Sequence, residues 1–176
     1  MKIIEKILKA VLLVIVFSLV LLLITEKNIF GKKSFRDKTA IEDLVEFDDG
    51  SQLILTLGEE NYTFEVVNTL ASRVLGLSGR EEIGCDGLLF VFEKKDFHPI
   101  WMKEMKFNLD LIWIDDEKVV DITYGLEAPL EDTKLEQLPT YSPSVPANIL
   151  IEVEEGFVDK NGIMVGDQLK MLETIY

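Results

Sequence analysis

Three short apolar runs mark the centre of the chain. They are Gly87-Leu88-Leu89-Phe90-Val91-Phe92, Ile100-Trp101-Met102-Lys103 and Leu109-Asp110-Leu111-Ile112-Trp113-Ile114-Asp115. Each is long enough for a strand and too short for a helix. One charge stands at the end of the second run, Lys103, and one lies inside the third, Asp110. Around these runs the apolar positions alternate. The pattern over residues 52–57 and again over 62–66 predicts a hairpin turning at Gly58-Glu59-Glu60-Asn61. Asn68-Thr69 can cap a short helix in which Leu70, Val74 and Leu77 share a face, with Gly76 and Gly79 as its stop. Asp115-Asp116-Glu117 reads as a polar turn into a further strand over residues 119–124.

Residues 126–147 read as a long loop with prolines at 129, 139, 143 and 146, and loops of that length usually carry function or mobility. A strand is expected over residues 148–153. A helical turn is expected near residues 155–160, stopped by Asn161-Gly162. A last strand is expected over residues 168–175, after a turn at Gly166-Asp167. The total is about eight strands with one or two short helices. That pattern predicts a mainly β, compact sandwich or barrel-like domain over residues 51–176.

The N-terminus has a different pattern. Residues 10–24 are apolar apart from Ser18, and the run extends back to Ile3 with Lys6 and Lys9 interposed. About 20 helical residues cross a bilayer core, so residues 1–25 are expected to form a transmembrane signal-anchor, with the two lysines reaching the headgroups. A cleaved signal peptide shares the basic start and apolar core. No small-x-small site follows the run, which continues Thr25-Glu26-Lys27-Asn28. Positive charges flank the run on both sides and do not fix its orientation. A large domain behind a first hydrophobic segment favours a cytoplasmic N-terminus, which places the C-terminal domain outside the cytoplasm at the cell membrane.

Charge separates the remainder. Residues 26–50 look like a linker that is basic and then acidic. Five basic residues and one acid fall in residues 27–38, whereas residues 39–176 hold 10 basic and 29 acidic residues. The basic collar suits anionic headgroups. An acidic domain lacks the basic footprint that nucleic-acid binding needs. Its acidity serves solubility, or a weak association with calcium or magnesium. With the single Cys85 the fold cannot rest on an intramolecular disulfide.

The residues from about 51 to 175 resemble the family known as domain of unknown function 192. The matching elements are Gly76-Leu77-Ser78-Gly79-Arg80, Gly87-Leu88-Leu89-Phe90-Val91-Phe92, Trp101-Met102-Lys103, Leu109-Asp110, Val119-Val120, Tyr141, Leu150-Ile151-Glu152, Gly162 and Gly166-Asp167. The resemblance implies a compact β-rich domain, often behind a signal peptide or anchor, and it brings no settled activity. The chain departs from the family at Glu104-Met105, where Asn-Thr is usual, and at Leu88, where Met is usual.

Candidate chemistry centres on Trp101, Lys103 and Asp110. If the second and third runs paired, Lys103 and Asp110 would approach, either as an ion pair that sets register or as part of a pocket. The pocket reading joins Arg80, His98, Trp101, Lys103, Asp110 and Tyr141 around a small polar or anionic ligand. His98 is the one histidine and cannot build a multi-histidine zinc site, so no metal site is expected. Cys85 lies between Gly84 and Asp86, and Asp86 disfavours its thiolate. Adjacent acid pairs such as Asp48-Asp49 point to opposite faces of a strand and make poor dyads. No phosphate-cradling or dinucleotide glycine motif is present, and no cofactor is expected. Two functions follow. One is a module that binds a ligand or an envelope protein outside the membrane. The other is an envelope hydrolase or transferase acting through Arg80, His98, Lys103 and Asp110. A purely scaffolding role is a third possibility.

Overall fold

The computed structural model describes Leu44, residues 47–130 and residues 132–171. The expected anchor and most of the expected linker lie outside these residues. Among the described residues no helix is long and apolar enough to cross a membrane.

Nine strands and two short α-helices form among the described residues. They run β1 (Gln52–Leu57), β2 (Glu60–Val67), α1 (Leu70–Leu75), β3 (Gly87–Asp96), β4 (Ile100–Trp101), β5 (Leu109–Asp115), β6 (Lys118–Leu126), β7 (Thr140–Tyr141), β8 (Ala147–Glu154), α2 (Phe157–Asn161) and β9 (Leu169–Met171). A short 3-10 turn, Leu135–Gln137, lies between β6 and β7. Seven strands form one curled half-barrel sheet in the order β6-β5-β8-β3-β2-β1-β9, and β4 pairs with β7 in a small second sheet. Within the large sheet β2 and β3 run parallel. A parallel pair needs a crossover, and residues 68–86 supply it with α1. The two edges of the curl meet at one end. There Gly166 N donates to Val119 O at 2.8 Å, Val119 N to Asp167 O at 2.9 Å and Leu169 N to Glu117 O at 2.8 Å.

The apolar runs are continuous because the central strands are buried on both faces. Leu89, Ile112 and Ile151 lie in one core together with Phe64 and Leu55. Leu88, Phe90, Leu111, Trp113 and Leu150 lie in the other. The buried Trp113 is satisfied by a hydrogen bond from Nε1 to Thr123 Oγ1 at 3.1 Å. Gly87 opens β3 because nothing larger fits. A Cβ there would lie 2.8 Å from the Glu152 carbonyl oxygen and 2.9 Å from Phe64.

The turns follow the expected chemistry. Asp116 and Glu117 both take positive φ between β5 and β6, which matches the twist of a two-residue hairpin. Thr69 caps α1 by accepting from Ser72 N, and Gly76 ends the helix at φ +50°. Gly162 ends α2 at φ +65°.

Three expectations change. The expected linker does not run to residue 50, because Leu44 is buried in the first core. Asp49 Oδ1 also accepts from Ser72 Oγ at 2.6 Å and Asn68 N at 3.0 Å, which ties this segment to α1. Of the helical face expected at Leu70, Val74 and Leu77, only Leu77 is buried. The run 100–103 gives a strand of two residues that pairs with β7, so β4 does not lie beside β5.

Candidate functional site

Strand register builds the site. Across the second-core face, Glu65 of β2 pairs with Leu88 of β3, Leu88 with Glu152 of β8, and Glu152 with Leu111 of β5. Glu152 is thus flanked by two leucines on the neighbouring strands. It is 5 % exposed, and no hydrogen bond reaches its carboxyl among the described residues. Burial pushes this carboxyl up to about 8, opposed only by attraction to Arg80. At neutral pH most of it is the uncharged acid, because a buried charge without a bonded partner is costly.

Glu152 forms the floor of a cleft of about 510 Å³ between α1 and the chain leading from β3 into β4. Volumes of this order suit small-molecule ligands. Phe90, Phe92, Ile100, Trp101 and Met105 supply apolar wall. The helix lines the other side and leaves its apolar residues outside: Leu70 is 74 %, Val74 57 % and Leu75 61 % exposed.

What holds α1 is polar. Besides the cap, Arg73 Nη1 donates to Asn68 O and to Val91 O, both at 2.8 Å. The guanidinium also sits 5.6 Å above the Phe92 ring. An apolar helix face kept in water by a polar clamp is an unusual use of leucine and valine, and such patches mark binding surfaces.

The sequence-based site residues divide. His98 and Trp101 line this cleft. His98 stacks on Phe92 with ring centroids 3.7 Å apart, and its Nε2 donates to the Lys94 carbonyl at 3.0 Å. Arg80 lies close enough to Glu152 to influence it, but its guanidinium grips Glu65 through two bonds of 2.8 and 2.7 Å. That grip holds the Glu65 carboxyl below its usual range.

The others are elsewhere. Lys103 lines a separate recess with Glu104 and Leu130 and pairs with Glu104 at 3.3 Å. Asp110 is buried, and its two oxygens accept from Gly125 N and Gly156 N, each at 2.9 Å. The expected approach of Lys103 to Asp110 therefore does not occur; Asp110 pins two backbone turns instead. Tyr141 pairs with Ile100 in the small sheet and packs on the second core. The Cys85 thiol donates to the Gly87 carbonyl at 3.2 Å. Among the described residues no cluster of three or more metal-ligating side chains forms.

Glu152 was not among the expected site residues, although Leu150-Ile151-Glu152 carried part of the family resemblance. Its signal was available, since a lone acid inside an apolar strand is the same feature that singled out Asp110.

Residues 53–171 match the model of a family described as "Uncharacterized ACR" (DUF192). No curated protein matches the chain. Two solved structures share the fold. A protein from Sinorhizobium meliloti 1021, described as a candidate transcription regulator, is 21% identical with a TM-score of 0.62, covering 71% of this chain and 97% of its own. A protein of unknown function from Novosphingobium aromaticivorans DSM 12444 is 22% identical with a TM-score of 0.57, covering 68% of this chain and 84% of its own. At these identities the likeness bears on the fold alone. The match covers almost the whole of the solved Sinorhizobium chain. The described residues belong to one compact unit of the chain, Lys38–Tyr176.

Proposed function

The chain belongs to the DUF192 family, and from that premise we propose that its β domain is a ligand-binding module held at the outer side of the cell membrane by residues 1–25. The ligand has an apolar body and occupies the cleft beside α1. The observation that carries this reading is Glu152, a buried carboxyl with no bonded partner at the base of an apolar cleft. A fold that served only as a scaffold would be more stable with leucine there. The exposed Leu70, Val74 and Leu75 at the mouth support the same reading.

The enzyme alternative rested on Arg80, His98, Lys103 and Asp110 acting together. Arg80 is committed to Glu65, Asp110 to two backbone amides, and Lys103 lies in another recess. No observation favours that alternative. The anchor reading is supported by the apolar run and the basic collar over residues 27–38.

The test uses residues 38–176 and the neutral fluorescent reporter N-phenyl-1-naphthylamine. The reporter brightens with the wild type and not with Val74→Arg, which places a charge at the cleft mouth. Equal signals from both proteins, or none from either, would remove the cleft as the binding site. For location, protease added to intact cells is expected to degrade the C-terminal domain of the full-length chain. Survival of the domain until the cells are lysed would contradict the outward orientation.

A further inference from the structure

The geometry points to one class of ligand for this cleft, an assignment that rests on the binding reading above: an apolar chain ending in a carbonyl oxygen, which accepts a hydrogen bond from the Glu152 carboxyl. Gly76 leaves the carboxyl open to the cleft. A Cβ at that position would stand 3.4 Å from Phe90 Cζ and 3.9 Å from Glu152 Oε2, in the space the ligand end would occupy.

The charged groups around Glu152 decide between an oxygen and an ammonium at that end. From α1, Arg73 faces the cleft with its guanidinium already bonded to two backbone carbonyls. From the loop that follows, Arg80 is neutralised by Glu65 of β2. Along β3 and beyond it, Glu93, Lys94 and Asp96 stand at the exposed rim, and His98 is held against Phe92. The register neighbours of Glu152 on β3 and β5, Leu88 and Leu111, are apolar.

An incoming ammonium would need Glu152 to ionise among leucines, and it would have Arg80 beyond the carboxylate. An incoming oxygen meets a donor already in place. Burial keeps the carboxyl protonated until about pH 8, and a proton shared between an acid and an oxygen is a strong bond in such surroundings.

Octanamide, octanoate and octylamine serve as probes, with N-phenyl-1-naphthylamine as the displaced reporter on residues 38–176. At pH 7 octanamide displaces the reporter at least about tenfold more tightly than octylamine, roughly one good hydrogen bond. Its affinity falls about tenfold between pH 7 and pH 9, because only the protonated fraction of Glu152 is competent. Glu152→Gln keeps an amide donor, so it binds octanamide at pH 7 and loses the pH dependence. Glu152→Leu binds the reporter and loses the preference for octanamide over octylamine. Octanoate that follows octanamide extends the class to carboxylates.

A preference for octylamine, an octanamide affinity constant from pH 7 to 9, or a pH dependence that survives in Glu152→Gln would each overturn the assignment while leaving the binding module standing. If the reporter itself fails to enter the cleft, the binding reading falls and this assignment falls with it.

Discussion

A carboxyl with leucines on both flanking strands becomes neutral by keeping its proton, and Glu152 is in that position. Glu104 shows a different local conflict. It takes φ +57°, in the left-handed region where asparagine is several-fold favoured over most side chains. Its carbonyl accepts from Gly79 N at 2.9 Å, and Ser78 Oγ donates to Lys103 O at 2.7 Å, so the corner fastens the loop after α1. The family resemblance puts asparagine at this position, and the backbone explains why. Glu104→Asn is expected to raise stability by roughly 0.5–1 kcal/mol, read as a higher urea midpoint at unchanged slope. A lower midpoint would show that the strain is relieved some other way. At this scale the sequence was partly legible. Lone charges in apolar runs flagged Asp110 and were equally present at Glu152, but only the register shows that Asp110 meets two amides while Glu152 meets none.

Among the elements, α1 separates fold from site. Its cap, its stop glycine and its length follow from Thr69, Ser72 and Gly76. Its apolar residues do not go where helical periodicity sends them. Exposed as they are, Leu70→Gln with Val74→Gln should change stability by no more than about 0.5 kcal/mol, while the affinity for N-phenyl-1-naphthylamine drops severalfold. Loss of stability without loss of affinity would mean the helix face is structural. The hairpins β1–β2 and β5–β6 were legible because strand alternation and turn residues are local signals. The pairing of β4 with β7 was not. It joins Ile100–Trp101 to Thr140–Tyr141 across about forty residues, and two residues offer no periodicity to read. The expected Lys103–Asp110 contact failed for that reason: it assumed the nearest run in sequence was the nearest strand in space.

For the whole molecule, buried and paired acids set the response to pH. The Glu152 carboxyl lies above its unfolded value of 4.5, at about 8, so the folded state holds the extra proton. Its favourable contribution is complete below about pH 4.5 and is lost as pH rises towards 8, on the order of 5 kcal/mol in all. Glu65 acts in the opposite sense. The Arg80 bonds lower its carboxyl, giving stability that is present above its unfolded value and lost as pH falls through the folded one. The unfolding free energy of residues 38–176 is therefore expected to peak near pH 5 and decline towards pH 8, and Glu152→Gln should flatten the decline. A wild-type profile that rises from pH 5 to 8 would mean the carboxyl is charged in the folded state. The large negative charge of residues 39–176 adds a salt-dependent repulsion, so wild type and variant are compared at one ionic strength. The β class was legible at this scale, through short apolar runs and frequent turns, but those signals left a sandwich and a barrel-like sheet both open, and only the strand order shows the half-barrel curl. The seam between Glu117–Val119 and Gly166–Leu169 was not legible, because its hydrogen bonds join backbone groups, which leave no mark on side-chain pattern.

The most direct measurement is a carbon-13 NMR titration of the glutamate side-chain carboxyls in residues 38–176, with and without octanamide, and with Glu152→Gln to assign the signal. The account predicts a Glu152 midpoint near pH 8 that moves higher when octanamide is added, because the ligand binds the protonated form. A midpoint near the ordinary 4.5, or one that octanamide leaves in place, would contradict it.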